Sequence, residues 1–109
     1  MKSKDLEIFN EMPFYFWFKD EDGRYLWANR VLLEFAKTDM LGKTDNELPW
    51  VGNADALRAA DKQVLETGET LRLRELVIDK PEKVTVNACK WLGELDGKKG
   101  VFGVSFVID

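Results

Sequence analysis

One late segment carries polar side chains at alternate positions: Thr85, Asn87 and Cys89 interleave with Val84, Val86 and Ala88. Alternate residues of a strand share a face. Thr85, Asn87, Cys89 and Trp91 therefore form one face, and Val84, Val86, Ala88, Lys90 and Leu92 the other. A hydroxyl and an amide offer donors and acceptors. If their face turns inward they need partners, since an unmatched buried polar group costs ~1–3 kcal/mol. A polar ligand, water or neighbouring backbone would each supply them.

The chemistry expected here is recognition rather than reaction. The chain has no His, so it lacks an imidazole for a catalytic triad, for acid–base work near neutrality or for haem. It has no glycine-rich phosphate loop either. A single Cys, Cys89, excludes an internal disulfide and a Cys-rich zinc site, and on a strand it reads as a small buried apolar residue. Asp20, Glu21, Asp22, Asp45, Asp55, Asp61 and Glu66 do not follow a calcium-loop spacing, so no metal is expected. Arg72, Arg74 and Glu75 on one strand read as a surface ion pair, and Arg58 and Lys62 as solvated charges.

These side chains need a scaffold. Five consecutive aromatics, Phe14 to Phe18, make a strand that is apolar on both faces and needs a partner on each. Asp22-Gly23 marks a tight turn into a second strand, about Tyr25 to Ala28. Asn29 precedes a helically spaced set, Val31, Leu32, Phe35 and Ala36, in an N-cap position. That helix should run from Arg30 to about Lys37. Thr44-x-x-Glu47 fits a capping box and opens a short helix over Asp45 to Leu48. The longest helix is expected at Ala54 to Thr67, with Asn53 before it, Leu57, Ala60, Val64 and Leu65 inside, and Gly68 as its C-terminal cap. Strands follow at about Leu71 to Ile78, Lys83 to Leu92 and Gly100 to Ile108. Upstream, Leu6 to Met12 reads as the end of a short helix that Pro13 stops. Separate runs of strands and helices indicate an α+β chain, an antiparallel sheet with helices packed on one face.

The chain has 109 residues, 45% of them apolar and 33% charged, which supports one soluble domain. No apolar run approaches the ~20 residues that span a bilayer. The N-terminus lacks the apolar core of a signal peptide. A cytoplasmic location without direct membrane contact is expected. The net charge of −4 with scattered Lys and Arg argues against a nucleic-acid partner.

Several short motifs recur in a telling order: Lys19-Asp20, Asp22-Gly23-Arg24, Asn29, Leu41-Gly42-Lys43-Thr44-Asp45, Glu47-Leu48-Pro49-Trp50, Asp61, Val64-Leu65-Glu66-Thr67-Gly68, Asp96-Gly97-Lys98 and Gly103-Val104. Together they resemble a PAS domain, the small sensor module of bacterial signalling proteins. The resemblance implies a five-stranded antiparallel sheet of order 2-1-5-4-3, an N-terminal helical cap over 1–12, the PAS domain over 13–109, and a pocket between helices and inner sheet face. Aligned on the family motifs, Tyr15, Trp17 and Lys19 point inward and Phe16 and Phe18 outward. Thr85, Asn87 and Cys89 face the pocket, as do Val101, Gly103 and Ser105. The candidate ligand-binding residues are thus Trp17, Asn29, Thr85, Asn87, Cys89, Gly103 and Ser105. Trp17 stacks on a planar ligand or serves as core. Leu6, Phe9, Phe16 and Phe18 form a candidate dimer interface, because large exposed apolar patches mark interfaces, and a homodimer is expected.

Haem is disfavoured by the missing His. Flavin is disfavoured by the missing Asn-Cys-Arg motif and by Ser105, which stands where flavin-binding relatives carry Gln. An unidentified small ligand remains as the expectation. The function implied is a non-catalytic input domain of a bacterial signal-transduction protein, such as a two-component system. It would bind a small molecule and relay occupancy to a covalently linked C-terminal effector of histidine kinase or diguanylate cyclase type. The alternative is a ligand-free dimerisation and relay module.

Overall fold

The strand built from the aromatic run lies between its hairpin partner and the last strand of the chain. The computed structural model describes residues 1–108; Asp109, the end of the expected domain, lies outside the described residues. A 3-10 helix, Ser3–Glu11, precedes β1 (Tyr15–Asp20), β2 (Tyr25–Ala28) and α1 (Arg30–Ala36). Two 3-10 turns, Asp45–Glu47 and Val51–Asn53, lead into α2 (Ala54–Thr67). Then come β3 (Leu71–Ile78), β4 (Val84–Leu95) and β5 (Lys98–Val107). The sheet is antiparallel throughout, in the expected order β2-β1-β5-β4-β3.

Local chemistry explains most boundaries. Asn29 caps α1, its side-chain oxygen accepting from the Leu32 N–H at 3.3 Å. Thr44 and Glu47 close the expected capping box. Gly68 ends α2 at a φ of 72°, a left-handed position that costs glycine least. Asn53 stands before α2 without capping it through its side chain: its amide donates to the Val77 carbonyl at 2.7 Å and ties the start of α2 to β3. β4 also runs three residues beyond the expected Leu92, because Asp96 and Gly97 form a tight turn that lets Leu95 pair with Lys98.

The sheet has a core on each side. The helices cover the inner face, where Trp17, Tyr25, Leu32, Met40, Leu48, Trp50 and Leu57 pack together. On the outer face Leu6, Phe16, Phe18, Leu95 and Phe102 form a second cluster, bordered by Phe9, Trp27 and Trp91. The Phe9 ring meets Phe16 edge-on at 5.0 Å, and Phe18 lies 4.7 Å from Phe102. Within the single chain Leu6 is 2% exposed, Phe16 8% and Phe18 0%, so the N-terminal segment by itself covers the residues expected at a dimer interface. That segment is pinned at the β4–β5 turn: the Met1 ammonium lies 2.9 Å from Glu94, and the Ser3 N–H donates to Asp96 at 3.0 Å.

Gly103 faces inward, as expected, but the space it leaves is taken by Trp17. A Cβ there would lie 2.3 Å from the Trp17 ring. Gly103→Ala should therefore cost about 1–3 kcal/mol by forcing the ring to move. Phe18→Ala should cost about 3–5 kcal/mol by emptying the outer core. Urea unfolding of the purified variants checks both; an unchanged midpoint for Gly103→Ala would show that Trp17 yields without cost.

Candidate functional site

A cavity lies between the inner sheet face and the helices. Tyr15 and Trp17 of β1, Phe35 of α1, Leu57 of α2 and Trp50, just before the Val51–Asn53 turn, give it largely flat, apolar walls. The space open to the centre of a water molecule is about 40 Å³, room for a few waters or one small ring. Lys19, Tyr25, Glu75, Lys90 and Ser105 bring polar atoms to the lining.

The two lysines are held by an ionic chain. Lys19 Nζ lies 2.7 Å from Asp45 and 2.6 Å from Asp61. Lys90 Nζ lies 3.4 Å from Asp61 and 2.7 Å from Glu75. All five are buried; Lys19 is 2% exposed, Lys90 1% and Asp45 0%. Asp45 has a second set of partners: the Tyr25 hydroxyl and the Trp50 indole N–H both donate to its other oxygen at 2.7 Å. A buried charge is tolerated only when it is paired and hydrogen-bonded in this way.

The environment fixes the charges. Burial alone would lower the Lys19 pKa, but the surrounding Asp61 and Asp45 carboxylates outweigh it and hold the pKa well above its ordinary value. Burial would raise the Asp45 pKa, but the Lys19 charge and the bonds from Lys19, Tyr25 and Trp50 hold it below the usual carboxylate range. Tyr25 is pushed well up, mainly by burial, and stays a neutral donor.

The sequence pattern of the PAS fold matches residues 9–108, nearly the whole chain. The chain belongs to the PAS family. It is a PAS sensor domain of the α+β class. A curated diguanylate cyclase of Vibrio cholerae is 36% identical over 63 residues, covering 55% of this chain and 20% of the relative. Vibrio cholerae VqmA, solved as a complex with ligand and DNA, matches with a TM-score of 0.81 at 21% identity, over 95% of this chain and 50% of that one. The PAS domain of Bordetella pertussis BvgS matches with a TM-score of 0.74 at 20% identity, over 97% and 85%. This chain thus spans about a fifth of the cyclase and half of VqmA.

The VqmA likeness corrects one expectation. Scattered basic residues led to the exclusion of nucleic acid as a partner, yet this PAS fold recurs in a protein solved on DNA. The surface charge of a sensor domain does not report what the rest of a protein binds.

The PAS cavity receives some of the expected residues and not others. Trp17 and Ser105 line it. Gly103 lies under Trp17. Asn29 is fully spent on structure: it accepts from the Phe16 and Leu32 N–H groups and donates to the Phe9 and Phe14 carbonyls. Thr85, Asn87 and Cys89 are displaced by one residue of strand register. Val84, Val86 and Lys90 line the cavity instead, while Asn87 and Cys89 border a groove on the outer face with Arg72 and Phe106. Burying the valine face removes more apolar surface from water, and Lys90 is carried inward because Glu75 and Asp61 await it. Thr85 is buried, with its hydroxyl unpartnered among the described residues.

The ionic chain was missed. Its signal was a Lys at an inward position of each of two apolar strands, Lys19 after Tyr15 and Trp17, and Lys90 after Val84 and Val86. Glu75, expected in a surface pair, is 8% exposed.

Lys19→Met should cost about 3–5 kcal/mol, because it strips Asp45 and Asp61 of a buried counter-charge. Lys62→Met, on the exposed face of α2, should change stability by less than about 0.5 kcal/mol. The depressed Asp45 pKa adds stability that is present above about pH 4 and lost as pH falls through the lower folded value. The raised Lys19 pKa adds stability that persists below 10.5 and fails only as pH rises through its higher folded value. Denaturant titrations between about pH 2 and 7 should show stability falling at the acid end. Asp45→Asn should flatten that slope, and an unaltered slope would place the acid sensitivity elsewhere.

Proposed function

We propose that this PAS domain senses a small molecule in the cavity between sheet and helices, and that occupancy is relayed to an effector elsewhere in a longer polypeptide. The observation that carries the reading is the lining: flat aromatic walls with a buried Glu75–Lys90 pair at one side. Small-molecule sites have this composition, apolar walls with a few placed polar groups. Two further features support it. The Trp17 indole N–H, on a lining residue, has no partner among the described residues. VqmA, of the same fold, was solved with a ligand.

The relay works as a population shift, the ligand favouring whichever arrangement of its walls it binds better. Residues 1–12 act as a cap on the outer sheet face, placed to feel movement of β1 and β5. The partial identity to a diguanylate cyclase makes a cyclase the effector best supported. The isolated domain is non-catalytic in this reading, and it works in the cytoplasm.

Native mass spectrometry of the protein as purified tests the proposal. A mass excess that disappears on denaturation is expected, and its size gives the ligand mass. A bare polypeptide mass, unchanged after incubation with a lysate metabolite extract, would favour the ligand-free relay module.

A further inference from the structure

Three buried side-chain polar atoms have no hydrogen-bond partner among the described residues: Trp17 Nε1, Asp61 Oδ1 and Thr85 Oγ1. Of these three residues only Trp17 lines the cavity. Asp61 Oδ1 still has the Lys90 ammonium 3.4 Å away. The indole N–H has one proton and no lone pair, so only an acceptor can match it. Trp17 is 7% exposed, and a buried donor left unmatched favours any guest that meets it.

The other polar groups of the lining do not relieve it; they add donors. Lys19 Nζ makes two short bonds, to Asp45 at 2.7 Å and Asp61 at 2.6 Å. Lys90 Nζ makes one, to Glu75 at 2.7 Å, and its contacts with Asp61 and the Leu57 carbonyl are long, 3.4 and 3.5 Å. An ammonium has three N–H bonds, so each lysine keeps at least one to give. Glu75, the one carboxylate on the lining among the described residues, is already met by Lys90. The Tyr25 hydroxyl donates to Asp45. The cavity is therefore richer in free donors than in free acceptors. Size and shape restrict the rest: about 40 Å³ open to water centres, walled by Phe35 and Trp50 with rings 18° apart.

We propose that the cavity takes a flat, one-ring compound whose substituent, such as a carbonyl oxygen, accepts a hydrogen bond from the Trp17 indole N–H, and that this bond selects it over an apolar compound of equal shape. This rests on the small-molecule reading above and adds a chemical class to it.

Acetophenone and α-methylstyrene test it, since they differ only in exchanging a carbonyl oxygen for a methylene group. Each is titrated into isotope-labelled protein while the indole N–H signals of Trp17 and Trp50 are followed. Trp50, whose N–H is already held by Asp45, serves as the internal reference. Acetophenone should bind at least about fivefold more tightly. It should also move the Trp17 indole proton downfield of its position with α-methylstyrene, because the ring effects of the two probes cancel in the comparison. Trp17→Phe keeps an aromatic wall and removes the donor; it should cost acetophenone about fivefold and cost α-methylstyrene nothing. If that variant does not fold, the ranking and the shifts on the unmodified protein decide. α-Methylstyrene binding as tightly as acetophenone would overturn the acceptor selection and leave the small-molecule reading standing. If neither probe moves the Trp17 signal at millimolar concentration, the proposed class is wrong, and the native mass measurement then shows whether the cavity binds any small molecule.

Discussion

A single ammonium, Lys19, sits where the sheet meets two separate pieces of the helical layer. It belongs to β1, Asp45 to the 3-10 turn after α1, and Asp61 to the middle of α2. Apolar burial is non-directional and would accept these pieces in many relative positions. Two ion pairs at 2.7 and 2.6 Å accept few. Exchanging such pairs for apolar side chains is often neutral in stability, so their value lies in fixing one arrangement. Asp45 extends that fixation to the cavity, because it also holds the Tyr25 hydroxyl and the Trp50 indole. Lys90 repeats the device between α2 and β3 through Asp61 and Glu75. The walls of the cavity and the ionic chain are one construction.

Much of the fold was legible because the signals were local. The limits of α2 follow from a helical apolar period closed by Gly68, and β1, β2 and β3 follow from apolar runs bounded by turn residues. The sheet order came from resemblance, since no local signal tells which strands pair. The site was less legible for a reason that β4 makes plain. A strand pattern gives two faces and does not say which is inside. Thr85 and Asn87 looked like recognition groups, yet Val84 and Val86 carry the apolar area that burial favours. Lys19, expected inward, and Lys90, expected on the opposite face, do not announce their partners because the counter-ions lie far away in sequence: Asp45 is 26 residues from Lys19, and Asp61 is 42. Only the fold brings them together.

Both faces of the sheet are committed, and that bears on how a sensor of this shape reports. Inner-face residues of β1 alternate with outer-face ones, so Trp17 touches the cavity while Phe16 and Phe18 hold the outer cluster under the N-terminal 3-10 helix. Interiors packed this closely transmit small displacements rather than absorb them. A shift of the Trp17 ring is a shift of the strand that carries the outer core.

The pairing of β1 with β5 has one more consequence. Tyr15 lies opposite Ser105, so the middle of the sheet closes only when the last strand is available. On the ribosome the aromatic run Phe14 to Phe18 emerges early and waits, one edge unpaired, for nearly the whole domain to be translated. Non-local pairings of this kind slow folding and leave apolar edges open to wrong partners.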